Sequence, residues 1–311
     1  MLALGSGGEN RFGQLRHVSR KRIHRLVRRA LDLGINFFDT AGAYGQSESM
    51  LGEALKGVPR DSWYVATKLL PRGTSGVIGA AAARSLVERS LRRLGVEALD
   101  IIQLHRVSAD AYAETRDRLV PELQKLRAEG KVRYIGITES SRFDADHRML
   151  TLALQDDLFD SVMVAYHLAN RSAENVVFPL AREKDVGVIA MTVARHQVYR
   201  NTGERLKLCC RVAASLVTSP PGPDRLMERL SAGASALFRP GPRQALPVAR
   251  AGGGKPLQLP AAAYTFAASQ PAIATVLTGT TNLGHLEQNL EAVLAPALTE
   301  EEIEKLRAFG V

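Results

Sequence analysis

Four residues carry chemistry at matched places in the chain. Asp39 closes the apolar run Ile35-Asn36-Phe37-Phe38, and Tyr44 follows on a loop of small residues. Lys68 ends the β-rich stretch Trp63-Tyr64-Val65-Ala66-Thr67, and His105 ends Leu99-Asp100-Ile101-Ile102-Gln103-Leu104. Three buried strands each delivering an ionisable group at the C-terminal end make one site if the strands are parallel and adjacent. A phenol has a pKa near ~10 and is a poor acid at neutral pH, so a nearby ammonium is needed to lower it. Lys68 is expected to do that, with Asp39 keeping the lysine charged and aimed. His105 would orient a carbonyl or share in proton relay. Singly, each has a plainer reading: a capping carboxylate, a rim aromatic, a solvated strand end and a loop histidine. Their joint occurrence on successive strand ends favours one shared site over four unrelated roles.

The elements that must position them follow a repeating order of helix, glycine and strand. Arg22–Leu33 carries Ile23, Leu26, Val27, Ala30 and Leu33 on one stripe and ends at Gly34. Ser85–Leu94 ends at Gly95, and Pro121–Glu129 at Gly130 before a strand Val132–Thr138. A glycine just past a helix supplies the left-handed residue that turns the chain directly into a strand. Further strands are expected at Leu2–Leu4, Asp160–Tyr166, Val186–Met191 and Ile273–Leu277, with helices Ala173–Lys184 and Leu283–Leu294 between and after them. Alternation of this kind implies a parallel sheet with crossover helices. Eight such strands predict an α/β fold of the closed (β/α)8 barrel type. It is read as one domain over residues 1–311, with a C-terminal helix in 297–311. No G-x-G-x-x-G dinucleotide fingerprint follows any strand.

The segments GINFFDTAGAYGQSESMLGEAL, VATK, SLRRLGVEALDIIQLH and LRAEGKVRYIGIT resemble those of the aldo-keto reductases. That resemblance implies a barrel reducing an aldehyde or ketone with NADP, NAD being the second choice, and Asp39, Tyr44, Lys68 and His105 as the catalytic tetrad. By the same resemblance, Gly5 and Ser6 in the first strand-loop lie against the cofactor. Thr138 and Glu139 meet the carboxamide, Glu139 standing where the family usually has asparagine. Met163 takes the place of a glutamine and Met191 that of an aromatic over the nicotinamide, although core packing is the plainer reading of both. Thr192 would bind pyrophosphate. The stretch Leu277–Asn289 resembles the adenosine-binding segment, bringing Gly279, Thr280, Thr281, His285, Gln288 and Asn289 to the cofactor. Small hydroxylated residues before a helix suit a phosphate on their own account. Gly279 and His285 replace the family's usual lysine and arginine against the 2′-phosphate, which weakens the expected NADP preference and hands it to the threonine hydroxyls and His285.

Composition narrows the class further. The chain has 311 residues, 45% hydrophobic and 23% charged, as a globular protein does. No apolar run approaches a membrane span, and Met1–Gly5 is too short for a signal peptide, so a cytoplasmic protein is expected. Cys209 and Cys210 are neighbours, which argues against a disulfide framework or a cysteine metal site. The net charge of +9 is uneven: residues 196–260 hold ten Lys/Arg against three acids. With no recognition helix or interleaved aromatics there, a nucleic-acid partner is not expected. Residues 196–256 fit nothing in the resembling family. Eight of the fourteen prolines fall between Pro220 and Pro260, and the stretch reads as a long mobile connection after strand seven with short helical pieces around Asp224–Leu230.

Overall fold

The computed structural model describes residues 1–4, 18–73, 76–140, 144–168, 170–194 and 259–309. The connection at 196–256, its helical pieces, and the candidates Gly5 and Ser6 lie outside the described residues.

Eight strands form one parallel sheet. They are β1 (Leu2–Ala3), β2 (Phe37–Asp39), β3 (Tyr64–Leu69), β6 (Leu99–Val107), β7 (Val132–Glu139), β8 (Ser161–Ala165), β9 (Gly187–Met191) and β10 (Thr275–Val276), in that spatial order. The ring closes because Leu2 pairs in parallel with Thr278. The Ala3 N–H donates to the Thr278 carbonyl at 2.7 Å and the Thr278 N–H to the Met1 carbonyl at 3.0 Å. On its other side β1 pairs with β2, Leu2 opposite Phe38. Both faces of such a sheet are covered, so its strands are continuously buried: Ser161–Ala165 without exception, and Val65–Leu69 behind an exposed Tyr64.

The helices α1 (Arg20–Asp32), α2 (Ser47–Leu55), α3 (Ala80–Leu94), α4 (Ala109–Ala128), α5 (Arg148–Gln155), α6 (Val177–Glu183), α7 (Leu259–Ala268), α8 (Leu283–Leu294) and α9 (Glu300–Phe309) accompany the strands. Helix α1 buries Ile23, Leu26, Val27 and Ala30 of its expected stripe, and Ser19 caps it by accepting from the Arg22 N–H. Gly34, Gly95 and Gly130 have φ of 82°, 69° and 75°, the left-handed geometry that their places after helices require.

Several elements differ from expectation. Helix α4 does not start at Pro121 but runs through it from Ala109. The proline sits on the exposed side, and burial of Leu119, Val120, Leu123 and Leu126 outweighs one lost backbone bond. The expected helix Ala173–Lys184 is a short 3-10 turn, Ser172–Glu174, followed by α6, whose Pro179 lies in the first turn where its missing N–H costs nothing. A hairpin of β4 (Arg72–Gly73) and β5 (Gly76–Val77) was not foreseen, and neither was helix α5, although Met149, Leu150, Ala153 and Leu154 recur at helical spacing on its buried face.

Register aligns the barrel interior. Lys68 stands opposite Gln103, Gln103 opposite Gly136 and Gly136 opposite Ser161. Gly136 is fixed by close approach, since a Cβ there would lie 2.5 Å from Ser161 Oγ and 3.1 Å from Gln103 Cγ. The missing side chain leaves room for Gln103, which reaches the Asp39 carboxylate. No helix among the described residues is long and apolar enough to cross a membrane.

Candidate active site

The ends of β2, β3 and β6 meet at the C-terminal rim. Beyond Asp39 the chain stays on β3: the Thr40 N–H donates to the Ala66 carbonyl at 2.9 Å and the Gly42 N–H to the Lys68 carbonyl at 3.1 Å. A turn closed from the Tyr44 N–H to the Ala41 carbonyl, at 2.9 Å, then carries Tyr44 back over the lysine. Ser47 donates to the Leu4 carbonyl, which ties this loop to β1, and its Oγ accepts from the Thr40 hydroxyl at 2.6 Å.

Lys68 is buried, and its Nζ donates to both Asp39 oxygens at 2.5 Å each and to the Thr40 carbonyl at 2.8 Å. All three ammonium protons therefore have partners. The ammonium stands 5.3 Å from the centre of the Tyr44 ring. His105 meets the same ring edge-on, centroids 5.6 Å apart and planes at 82°. Sequence reasoning brought these four residues to one rim, and they are in contact there.

The electrostatics correct one expectation. Tyr44 is not held below its ordinary value: burial raises its pKa, and the Lys68 and Arg106 charges only limit the rise. A phenol of this kind keeps its proton at neutral pH, as a proton donor must. Asp39 is likewise raised by burial, against the opposing pull of Lys68 and Gln103. His105 lies well below the usual histidine range, first by burial and then by the Lys68 and Arg106 charges. Its imidazole is neutral, and its buried Nδ1 has no partner among the described residues.

A histidine depressed on folding takes up a proton in the unfolded chain first. Its contribution to stability is complete above about pH 6.5 and is lost as pH falls from there through the folded value. His105→Gln should therefore flatten the acid limb of thermal stability, measured as melting temperature at pH 7.5 and 5.0. Equal acid losses in both proteins would rule this out.

The candidates for cofactor contact are more dispersed. Thr138 is buried, and its Oγ1 accepts from the Arg106 N–H at 2.8 Å, steadying a β6 bulge where Arg106 has φ of 57°. Glu139 has both oxygens engaged elsewhere: Oε2 with His147 Nδ1 at 2.7 Å and Oε1 with the Ala165 N–H at 2.7 Å. The carboxylate that replaces asparagine is thus drawn into a buried pair bridging β7 and β8, which explains the substitution structurally. Met163 is buried in the wall beside Thr138, whereas Met191 is half-buried at the end of β9. Thr192 follows it with φ of 61°, strained for a β-branched residue, and its buried Oγ1 has no partner among the described residues.

Around α8 the backbone donors are not all free. Asn282 caps the helix, accepting from the Gly284 N–H at 2.8 Å and the His285 N–H at 3.4 Å. Thr280 Oγ1 accepts from the Asn282 N–H at 3.0 Å. Gly279 and Thr281 are half-buried beside them, while His285 and Gln288 are exposed. Asn289 turns inward and donates to Thr278 Oγ1 at 2.8 Å, so it braces the strand end.

Sequence reasoning missed Gln103, whose Nε2 lies 3.5 Å from Asp39 Oδ1. Its place two residues before His105, on the same face of a strand, was the available signal. It also missed Glu48, wholly buried on α2, which accepts from Thr67 Oγ1 at 2.7 Å and from Arg93 at 3.3 Å and so locks α2 beneath the Tyr44 loop.

The sequence profile of the Aldo/keto reductase family matches residues 3–310. The chain belongs to the aldo/keto reductase family. Among curated relatives, the protein named probable aldo-keto reductase 1 from Glycine max is 35% identical over 176 residues, 53% of this chain and 47% of that one. L-galactose dehydrogenase from Arabidopsis thaliana is 42% identical over 116 residues, 36% of each chain. The matches thus span about half or less of those relatives' lengths. Among solved structures, the holo form of an aldo-keto reductase from Bacillus halodurans is 25% identical with a TM-score of 0.66, covering 94% of this chain and 88% of that one. One from Klebsiella pneumoniae, in complex with NADPH, shares the fold with a TM-score of 0.67 at 21% identity, covering 99% of this chain and 90% of its own. The family's barrel and the observed ring of eight parallel strands agree.

Proposed function

We propose that the chain is a single-domain, cytoplasmic oxidoreductase that reversibly reduces an aldehyde or ketone to an alcohol at the expense of NAD(P)H, with Tyr44 as proton donor. The observation that carries this is the stack of Asp39, Lys68 and Tyr44 with a neutral His105 against the phenol edge. The Lys68–Asp39 pair fixes one positive charge beneath the phenol, so the phenolate left after proton donation is stabilised where it forms. The neutral His105 donates a hydrogen bond to the carbonyl oxygen and aims it at the phenol. Tyr44 then gives its proton to that oxygen and recovers one from solvent.

The residues present fit a nicotinamide dinucleotide. Thr192 offers an unpartnered buried hydroxyl at the rim, a donor suited to pyrophosphate. Thr280, Thr281 and the start of α8 would hold the adenosine end, and Met191 would pack beside the nicotinamide. When bound in reduced form, the cofactor supplies the hydride that makes the new C–H bond.

The likeness to L-galactose dehydrogenase favours a second reading, an NAD-dependent sugar or polyol dehydrogenase on the same tetrad. Steady-state absorbance assays should separate the two: reduction of a panel of aldehydes and ketones with NADPH and NADH, and oxidation of aldoses and polyols with NADP and NAD. Turnover of simple carbonyls with the reduced cofactors supports the first reading, and turnover confined to sugars with NAD the second. Absence of turnover in every arm, in a protein that binds either cofactor, would sink both in favour of a binding subunit.

A further inference from the structure

The adenosine-binding segment lacks strong cations of its own. Gly279 and His285 stand where the family places lysine and arginine, and the cap made by Asn282 and Thr280 already occupies several backbone donors there. Folding brings a cation to it from the other end of the chain. In the first turn of α1, Arg22 extends across to the segment, and its Nε donates to the Thr281 carbonyl at 2.9 Å across 259 positions of sequence.

Three other arginines of α1 are committed elsewhere, and among the described residues neither Lys21 nor Arg25 forms a hydrogen bond or ion pair with the segment, so Arg22 is the α1 cation that reaches the Thr281 carbonyl. Arg20 pairs with Glu53, Arg28 donates to the Lys56 carbonyl at 2.8 Å, and Arg29 pairs with Glu287 of α8 at 2.7 Å. Arg22 forms no ion pair with a carboxylate among the described residues. The residue is exposed and its guanidinium is tethered through Nε, and neither terminal amino group has a hydrogen-bond partner among the described residues. The fork of those two groups matches two phosphate oxygens, and a guanidinium already held in place loses little freedom on binding. The exposed Arg29–Glu287 pair joins α1 to α8 alongside this tether. The first acid of α8 is thereby neutralised rather than left to repel an anion.

We propose that Arg22 recognises the 2′-phosphate of NADP(H) and sets the preference of this chain between NADP(H) and NAD(H). The proposal rests on the reading that the adenosine end of the cofactor lies on Gly279–Asn289. The cation is thus supplied from α1 in place of the two that the segment lacks. The role that sequence reasoning gave to His285 becomes secondary.

Equilibrium titration of the purified full chain with NADP and with NAD, by isothermal calorimetry, tests this without any turnover. Arg22→Gln should weaken NADP binding by about 10- to 100-fold while changing NAD binding by no more than about twofold. Arg22→Lys should fall between, because an ammonium meets the phosphate at one point only. His285→Gln should cost less than Arg22→Gln. Equal losses for both cofactors would show that Arg22 merely holds the Thr281 loop, and an unchanged NADP affinity would show that it faces no phosphate; either result overturns the proposal. If the unsubstituted chain binds neither cofactor, the underlying reading of the segment fails, and the proposal with it.

Discussion

Tyr44→Phe is expected to lower carbonyl reduction by about 10²- to 10⁴-fold, the range of a lost general acid. NADP affinity should stay within about twofold of the parent, because the substitution removes one hydroxyl and leaves the ring between Lys68 and His105. No side chain among the described residues hydrogen-bonds that hydroxyl, so its loss strands no partner and folding should be unaffected. Burial keeps the phenol protonated at neutral pH, and the reductive direction should therefore hold its rate up to alkaline pH before it declines. Single-turnover reduction with saturating NADPH, alongside a cofactor titration, makes the measurement. Retained turnover would remove Tyr44 from the role of proton donor.

The second large effect is on stability as well as rate. Lys68→Met deletes the ammonium that satisfies a buried carboxylate at 2.5 Å. Removing one member of a buried pair costs about 3–5 kcal/mol, because the other charge is left without compensation. Asp39 is already raised by burial, and without the ammonium the larger part of the opposing pull disappears, leaving Gln103 and the chain's N-terminal charge. A carboxyl whose folded pKa exceeds its unfolded value contributes stability at low pH and loses it as pH rises through the folded value. The deficit of Lys68→Met against the parent should accordingly be large at pH 7 and shrink toward pH 4–5. Adding Asp39→Asn should restore much of the stability at pH 7 without restoring catalysis. Denaturant melts at both pH values decide this, and a deficit independent of pH and of Asp39 would point to packing alone.

The grouping of Asp39, Tyr44, Lys68 and His105 was legible because three of them close short apolar stretches and Tyr44 follows on the loop after the first. Parallel strands in a closed ring do the rest, carrying Asp39, Lys68 and His105 to the same rim. What could not be read depended on which distant residue fills a given space. Gln103 reaches Asp39 only because Gly136 on the next strand has no side chain. Glu139 looks like a site residue by position, yet His147 and the Ala165 N–H, fixed by the packing of later elements, take up its oxygens. Arg22 carries no sign in its own helix of the Thr281 carbonyl it meets. The run through Pro121 was missed for a related reason, since a local rule about proline gave way to the burial of its neighbours.

The closure of the ring between Leu2 and Thr278 also bears on how the molecule is made. The first strand and the stretch that completes its pairing are separated by almost the whole sequence, so a growing chain can assemble β2 through β9 while β1 still has an unpaired edge. Contacts of such long separation are slow to form, because the loop they close must first be ordered. Until Thr275–Thr278 leave the ribosome, two sheet edges stay open to pairing with another nascent chain. Expression yield should depend on conditions that slow such encounters, such as low temperature and modest synthesis rate. Chains truncated before Thr275 should collect in aggregates.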